Sequence, residues 1–104
     1  MEIRHLGSFV AAAELESFTR AAGALGVTQA AISQHIALLE GELKVSLFKR
    51  LGRGVQLTDR GQQLYEHARQ ILELVERAAD EVGNVRRPLS GTLRIAASTV
   101  PSEW

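Results

Sequence analysis

The sequence predicts a mostly α-helical fold: a winged helix-turn-helix of three helices and a β-hairpin, followed by a long dimerisation helix. Three observations carry that expectation. Two helical patterns meet at one tight turn within residues 17–43, an extended pattern follows around a Gly-Arg-Gly tip at 52–54, and a heptad of apolar positions begins after Thr58. Composition agrees, since the 104 residues are 45% hydrophobic and only 5% aromatic, with alanine and leucine abundant. A chain of this length holds one small core and an extension.

Ile3, Leu6, Phe9, Val10 and Ala13 recur at helical steps, so a first amphipathic helix ends near Glu16. Ser17 caps a second helix, whose apolar face is Phe18, Ala21, Ala22 and Leu25. Gly26 ends it, Val27 is expected as a buried plug at the corner, and Thr28 caps the third helix. In that third helix Ala31, Ile32, Ile36, Leu39 and Leu43 form the core stripe, and Gln29, Ala30, Ser33 and Gln34 fall on the other side.

Beyond Leu43, Val45, Leu47 and Lys49 alternate with Ser46 and Phe48, and Val55-Gln56-Leu57 resumes the extended pattern after the glycines. This is a hairpin with Arg53 at its tip and Arg50 on the preceding strand. Thr58 caps the long helix, with Asp59 in its first turn. Leu64, Ala68, Ile71, Val75, Ala78, Val82 and Val85 form its seam, supported by Leu72 and Ala79. So small a domain cannot bury that seam, which predicts packing against a second copy. Arg86-Arg87-Pro88 ends the helix, residues 89–92 read as a hinge, and Thr92 to Ser98 read as a buried strand without a partner. The expected units are therefore 1–58, 59–87 and 88–104, the last being the start of a further domain, as if cut from a longer protein.

The exposed side of the third helix carries amides, a hydroxyl and a methyl at its leading turns, which are the groups a major groove reads. Net charge is zero, yet from Leu43 to Thr58 every charged residue is basic: Lys44, Lys49, Arg50 and Arg53. The local field, acting over about 8–10 Å, matters to a phosphate backbone more than the sum does. Gln29 also suits a solvated first turn, Ser33 a bond back to its own helix, and Lys44 and Lys49 plain solvation.

Other functions are disfavoured. No cysteine is present, which excludes disulfides and cysteine-based metal or redox sites. His5, His35 and His67 fall on three predicted elements without a carboxylate at ligand spacing, so neither a metal site nor a catalytic base is expected. The start lacks the pattern of a secretory signal, and Thr28, Gln29, Ser33, Gln34 and His35 interrupt the uncharged stretch from Ala21 to Leu39, so a cytoplasmic chain without a membrane span is expected. A winged-helix module that binds protein partners is the competing reading.

The ordered set of motifs, from Ile3-Arg4-His5-Leu6 with Phe9 through SFTRAA at 17–22, VTQAAIS at 27–33, LLEGEL at 38–43 and LFKR at 47–50 to LTDRG at 57–61, resembles the N-terminal portion of LysR-type bacterial transcriptional regulators. The resemblance covers nearly the whole chain. It implies a dimerising linker helix and a C-terminal effector domain of two α/β lobes, whose first strand is GTLRIAAS at 91–98. By position it places Gln29, Ala30, Ser33 and Gln34 against DNA, Thr28 near the backbone, and Arg50 and Arg53 as wing contacts. Ser98 and Thr99 stand where an effector pocket begins. The implied partners are double-stranded DNA and a second copy, with tetramers as an assembly of the full-length protein. No cofactor is implied, and a small-molecule effector is expected only for that longer protein. Family members often carry proline where this chain has Ala30 and arginine where it has Gln34, so a guanidinium fork on guanine is not available at 34.

Overall fold

The computed structural model describes residues 1–83, and its elements run α1 (Ile3–Leu15), α2 (Phe18–Leu25), α3 (Gln29–Leu43), β1 (Phe48–Arg50), β2 (Val55–Leu57), α4 (Asp59–Ala78) and a π-helical turn (Ala79–Gly83). The expected hinge at 89–92, the strand at 92–98, Val85 and the helix stop at 86–88 lie outside the described residues. The second and third helices start at side-chain caps, whereas α1 starts without one. Ser17 accepts from the Arg20 N–H at 3.0 Å, and Thr28 accepts from the Ala31 N–H at 3.0 Å. Gly26 closes α2 in the left-handed region at φ 71°, and the following Val27 N–H bonds the Ala22 carbonyl at 3.0 Å.

Leu6, Phe9 and Ala12 of α1 meet Ala21 and Ala22 of α2 and Ile32, Ile36 and Leu39 of α3 in one core, which the hairpin closes with Leu47, Phe48 and Val55. Phe48 stands between two other aromatic rings, 5.5 Å from Phe9 and 5.3 Å from Phe18, the latter edge-on. Two expectations at the helical corner fail. Val27 is 41% exposed rather than a buried plug, and Leu25 is 46% exposed. The turn is held by the backbone bonds at Gly26 and Val27, so no side chain needs to fill it.

The hairpin is also shorter than the alternation suggests. β1 spans only Phe48–Arg50, and Leu47 and Phe48 are both buried. The cause lies upstream. Lys44 ends α3 in the left-handed region at φ 59°, and the Glu40 carboxylate takes the Leu47 N–H at 2.8 Å, so the chain reaches Leu47 through a turn where strand alternation does not apply. β1 and β2 pair antiparallel with Phe48 opposite Leu57, Lys49 opposite Gln56 and Arg50 opposite Val55. A second anchor fixes the hairpin: the Glu16 carbonyl, at the left-handed end of α1, accepts the Val55 N–H at 3.1 Å.

The joint between wing and long helix is built on Thr58 and Gly61. Thr58 donates its hydroxyl to the Ser46 carbonyl at 2.6 Å and its N–H to the Leu47 carbonyl at 2.9 Å, and its oxygen accepts from Gly61 at 3.0 Å. Along α4, Gly61 and Ala68 are buried, with Leu64, Tyr65 and Leu72 packed against the core. Tyr65 also donates its hydroxyl to Glu14 of α1 at 2.7 Å. That hydrogen bond, aided by desolvation, raises the phenol above its ordinary value and keeps it a donor.

The seam expected for a partner therefore divides. Ala68 is fully buried and Leu64 half-buried within the chain itself, because α1 covers the first turns of α4. Ile71 and Val75, each 37% exposed, and Leu74 at 56% carry the free apolar face beyond. Ala78 is exposed with them. Past it the continuous α-helical heptad ends, since Ala79–Gly83 widens into a π turn that takes Val82, 83% exposed, off the α-helical period.

Candidate nucleic-acid interface

The third helix owes its presentation to Thr28. Its capping bond leaves the first turn of α3 clear of the domain, and Thr28, Gln29 and Ala30 are all exposed. Gln34 is exposed one turn on, while Ser33 is half-buried on the flank between the exposed side and the core stripe of Ile32, Ile36 and Leu39. Amides, a hydroxyl and a methyl thus stand together on the leading turns of one helix, and nothing in the fold covers the first of them.

The hairpin supplies the charge. Residues 51–54 form its loop, closed by a bond from the Leu51 N–H to the Gly54 carbonyl at 3.1 Å, and Arg53 is exposed there. Gly54 has φ 88°, and a Cβ at this position would stand 2.7 Å from the Glu16 carbonyl oxygen, so the loop returns to the domain only through glycine. Arg50 is exposed too, but its guanidinium lies 5.3 Å over the Phe18 ring. Stacking holds the group in place while its N–H edges stay open to an anion. Among the described residues, Lys44, Lys49, Arg50 and Arg53 take part in no ion pair.

The histidines lie on three elements as expected, His5 on α1, His35 on α3 and His67 on α4, but two of them meet: the His5 and His35 rings stack with centroids 4.6 Å apart, and His35 Nδ1 lies 2.7 Å from the hydroxyl of buried Ser8. The one hint in the sequence is a polar Ser8 inside an otherwise apolar helix face. His67 is exposed on α4, and no cluster of three or more potential metal ligands occurs among the described residues. An open cleft between α1, β2 and α4 is lined by Ala13, Glu16, Gln56, Leu57, Gln62 and Tyr65. Those side chains hold no nucleophile beside a base.

A helix with a free, polar leading edge beside a basic hairpin, carried on a projecting helix, defines a winged helix-turn-helix domain of the regulatory type. Residues 3–62 match the family model described as the bacterial regulatory helix-turn-helix protein, lysR family. The chain belongs to that family, whose members are transcriptional regulators rather than enzymes. It is 46% identical over 99 residues to the HTH-type transcriptional regulator BudR of Klebsiella aerogenes, covering 95% of this chain and 69% of that one. With the nitrogen assimilation regulatory protein nac of Escherichia coli it shares 46% identity over 95 residues, 91% of this chain but only 31% of the relative. Among solved structures, the crystal structure of the CbnR_DBD-DNA complex superposes with a TM-score of 0.74 at 42% identity, covering 78% of this chain and 93% of that one. Against several curated relatives, then, the chain spans about a third of their length.

No helix among the described residues is long and apolar enough to cross a membrane.

Proposed function

We propose that the chain is the DNA-reading part of a LysR-type regulator, acting as a cytoplasmic homodimer that places one α3 per protomer in successive major grooves. The observation that carries this reading is the pairing of exposed Gln29, Ala30 and Gln34 on the leading turns of α3 with the uncompensated Arg50 and Arg53 of the adjacent hairpin. Gln29 and Gln34 read base edges, with Ala30 offering a methyl to thymine and Ser33 a flanking hydroxyl. Thr28 lies near the phosphates. Arg53 reaches a phosphate or the neighbouring minor groove, and Arg50 holds the backbone.

Support also comes from the CbnR_DBD-DNA complex, a relative of the same shape whose name states that it holds DNA. Dimerisation is assigned to the α4 face of Ile71, Val75 and Ala78, extended by Leu74, with Leu64 at its edge and the exposed Val82 beyond it in the π turn. Tetramers and any small-molecule effector belong to the longer protein whose effector domain would open at 91–98. Selection of binding sites from random duplex tests the function directly. Enrichment of a two-fold site supports it, and Gln34→Arg should then shift the selected base toward guanine at one position per half-site. A stable dimer that retains no duplex at low salt would instead favour the protein-binding module.

A further inference from the structure

Ser8, His5 and His35 form a polar cluster where α1 packs on α3, the helix that carries the exposed edge. Ser8 is 3% exposed, and its hydroxyl oxygen lies 2.7 Å from Nδ1 of His35, which is the next residue after Gln34. The His5 ring stacks on the other ring at an interplanar angle of 27°. The rest of the α1 to α3 contact is apolar, Leu6, Phe9 and Ala12 against Ile32, Ile36 and Leu39, apart from an exposed ion pair ahead of α1 between the Met1 amine and Glu42 of α3 at 2.6 Å. Methyl surfaces tolerate a small rotation. A directional hydrogen bond does not.

We propose that Ser8 and His35 form a latch that sets the rotation of α3 against α1, which makes His35 a positioning residue for base readout by Ser33 and Gln34 and makes operator recognition weaken on acidification. This rests on the DNA-reading function proposed above. A rotation of about 20° moves a side-chain tip about 6 Å from the helix axis by roughly 2 Å, enough to break a hydrogen bond to a base edge. With the Ser8 hydroxyl donating, His35 must be neutral, its proton on Nε2.

The surroundings favour that state. Burial first, then His5 and Arg4, depress the His35 pKa below its ordinary 6.5, and Glu2 opposes them. All the charged groups acting on it sit at the start of α1, and neither α2 nor α3 adds another. A base whose folded pKa is depressed has its full latch above the ordinary value. As pH falls through 6.5 the unfolded chain takes up more protons than the folded one, so the closed arrangement loses stability until His35 itself is protonated. A cation there would face the His5 ring at 4.6 Å, and its Nδ1–H would have to donate to the Ser8 oxygen, reversing the bond in a site whose burial disfavours the charge.

The test measures binding of the chain to a duplex selected from random sequence and to a scrambled duplex of equal length, between about pH 8 and pH 5.5. The ratio of the two affinities removes the general pull of newly charged histidines on phosphate. For the unaltered chain the ratio should fall several-fold across the range. Ser8→Ala should lower it about fivefold already at pH 8, the loss of one buried hydrogen bond. His35→Asn, whose Oδ1 falls near the place of Nδ1 and does not titrate, should restore most of the ratio and lose most of its pH dependence. An unaltered ratio in Ser8→Ala, or an unaltered pH profile in His35→Asn, overturns the latch. If the unaltered chain discriminates between no duplexes, the proposed function fails. The latch is then judged by imidazole NMR alone: Ser8→Ala must shift the His35 titration, and an unmoved one refutes it.

Discussion

Gly61 is the position where the fold is least forgiving, and Gly61→Ala gives the sharpest test of how α4 is seated. The glycine lies in the first turns of α4, buried against the chain entering β1. A Cβ there would be driven into the Leu47 carbonyl oxygen, with Leu57 Cδ2 at 2.9 Å and the Leu47 carbonyl carbon at 3.1 Å. The obstacle is backbone, and that backbone is pinned, because the same Leu47 carbonyl accepts the Thr58 N–H at 2.9 Å. Alanine in a helix gains about 1 kcal/mol over glycine. Overpacking costs about 1–3 kcal/mol or more, and separating α4 from Leu47 would also strain the Thr58 bonds. The clash should win by about 2 kcal/mol, which in a domain of this size lowers Tm by roughly 8–16 °C. Gly23→Ala is the control, since a Cβ there meets nothing within 4 Å and α2 should gain about 0.5–1 kcal/mol. Urea and thermal denaturation of both variants decide the matter. A Gly61→Ala protein as stable as the parent would show that α4 is not held against Leu47 as described.

Four further outcomes are expected. Arg53→Ala should weaken binding to all duplexes alike and flatten the log-log salt dependence by about one unit, and an unchanged slope would remove Arg53 from the phosphate contacts. Val75→Asp should turn the dimer into a monomer in analytical ultracentrifugation and weaken operator binding steeply, because Val75 lies on the free face of α4 and two half-sites could no longer be engaged together. Ala68→Ser should leave dimerisation intact while lowering monomer stability, the reverse of what a seam position would do. Glu16→Gly should stabilise the chain by up to about 1 kcal/mol in urea denaturation, because Glu16 holds φ 55° to offer its carbonyl to Val55, and a loss of stability would deny strain there.

Much of this fold follows from local chemistry that is legible in the sequence. Ser17, Thr28 and Thr58 are the kind of residue that satisfies a free helix N–H whatever surrounds it, and each accepts from the N–H three residues on. Gly26 ends its helix because a left-handed turn there suits a residue without Cβ. The core stripe of α3 follows from helical period alone, which is also why the exposed edge at Gln29, Ala30 and Gln34 could be named.

What pattern cannot reach is set by pairs far apart in the chain. Leu47 departs from strand alternation because Glu40 captures its N–H, and Ala68 leaves the dimer seam because α1 happens to cover that turn of α4. Arg50 over Phe18, and Ser8 against His35 across 27 residues, join groups whose individual chemistry gives no sign of the partner. The sequence by itself determined the helices, the caps at Ser17, Thr28 and Thr58, the exposed edge of α3 and the family. Tertiary structure alone decided which apolar residues stay exposed on α4 and which polar ones meet between α1 and α3. Periodicity specifies a face, but only packing specifies what that face meets.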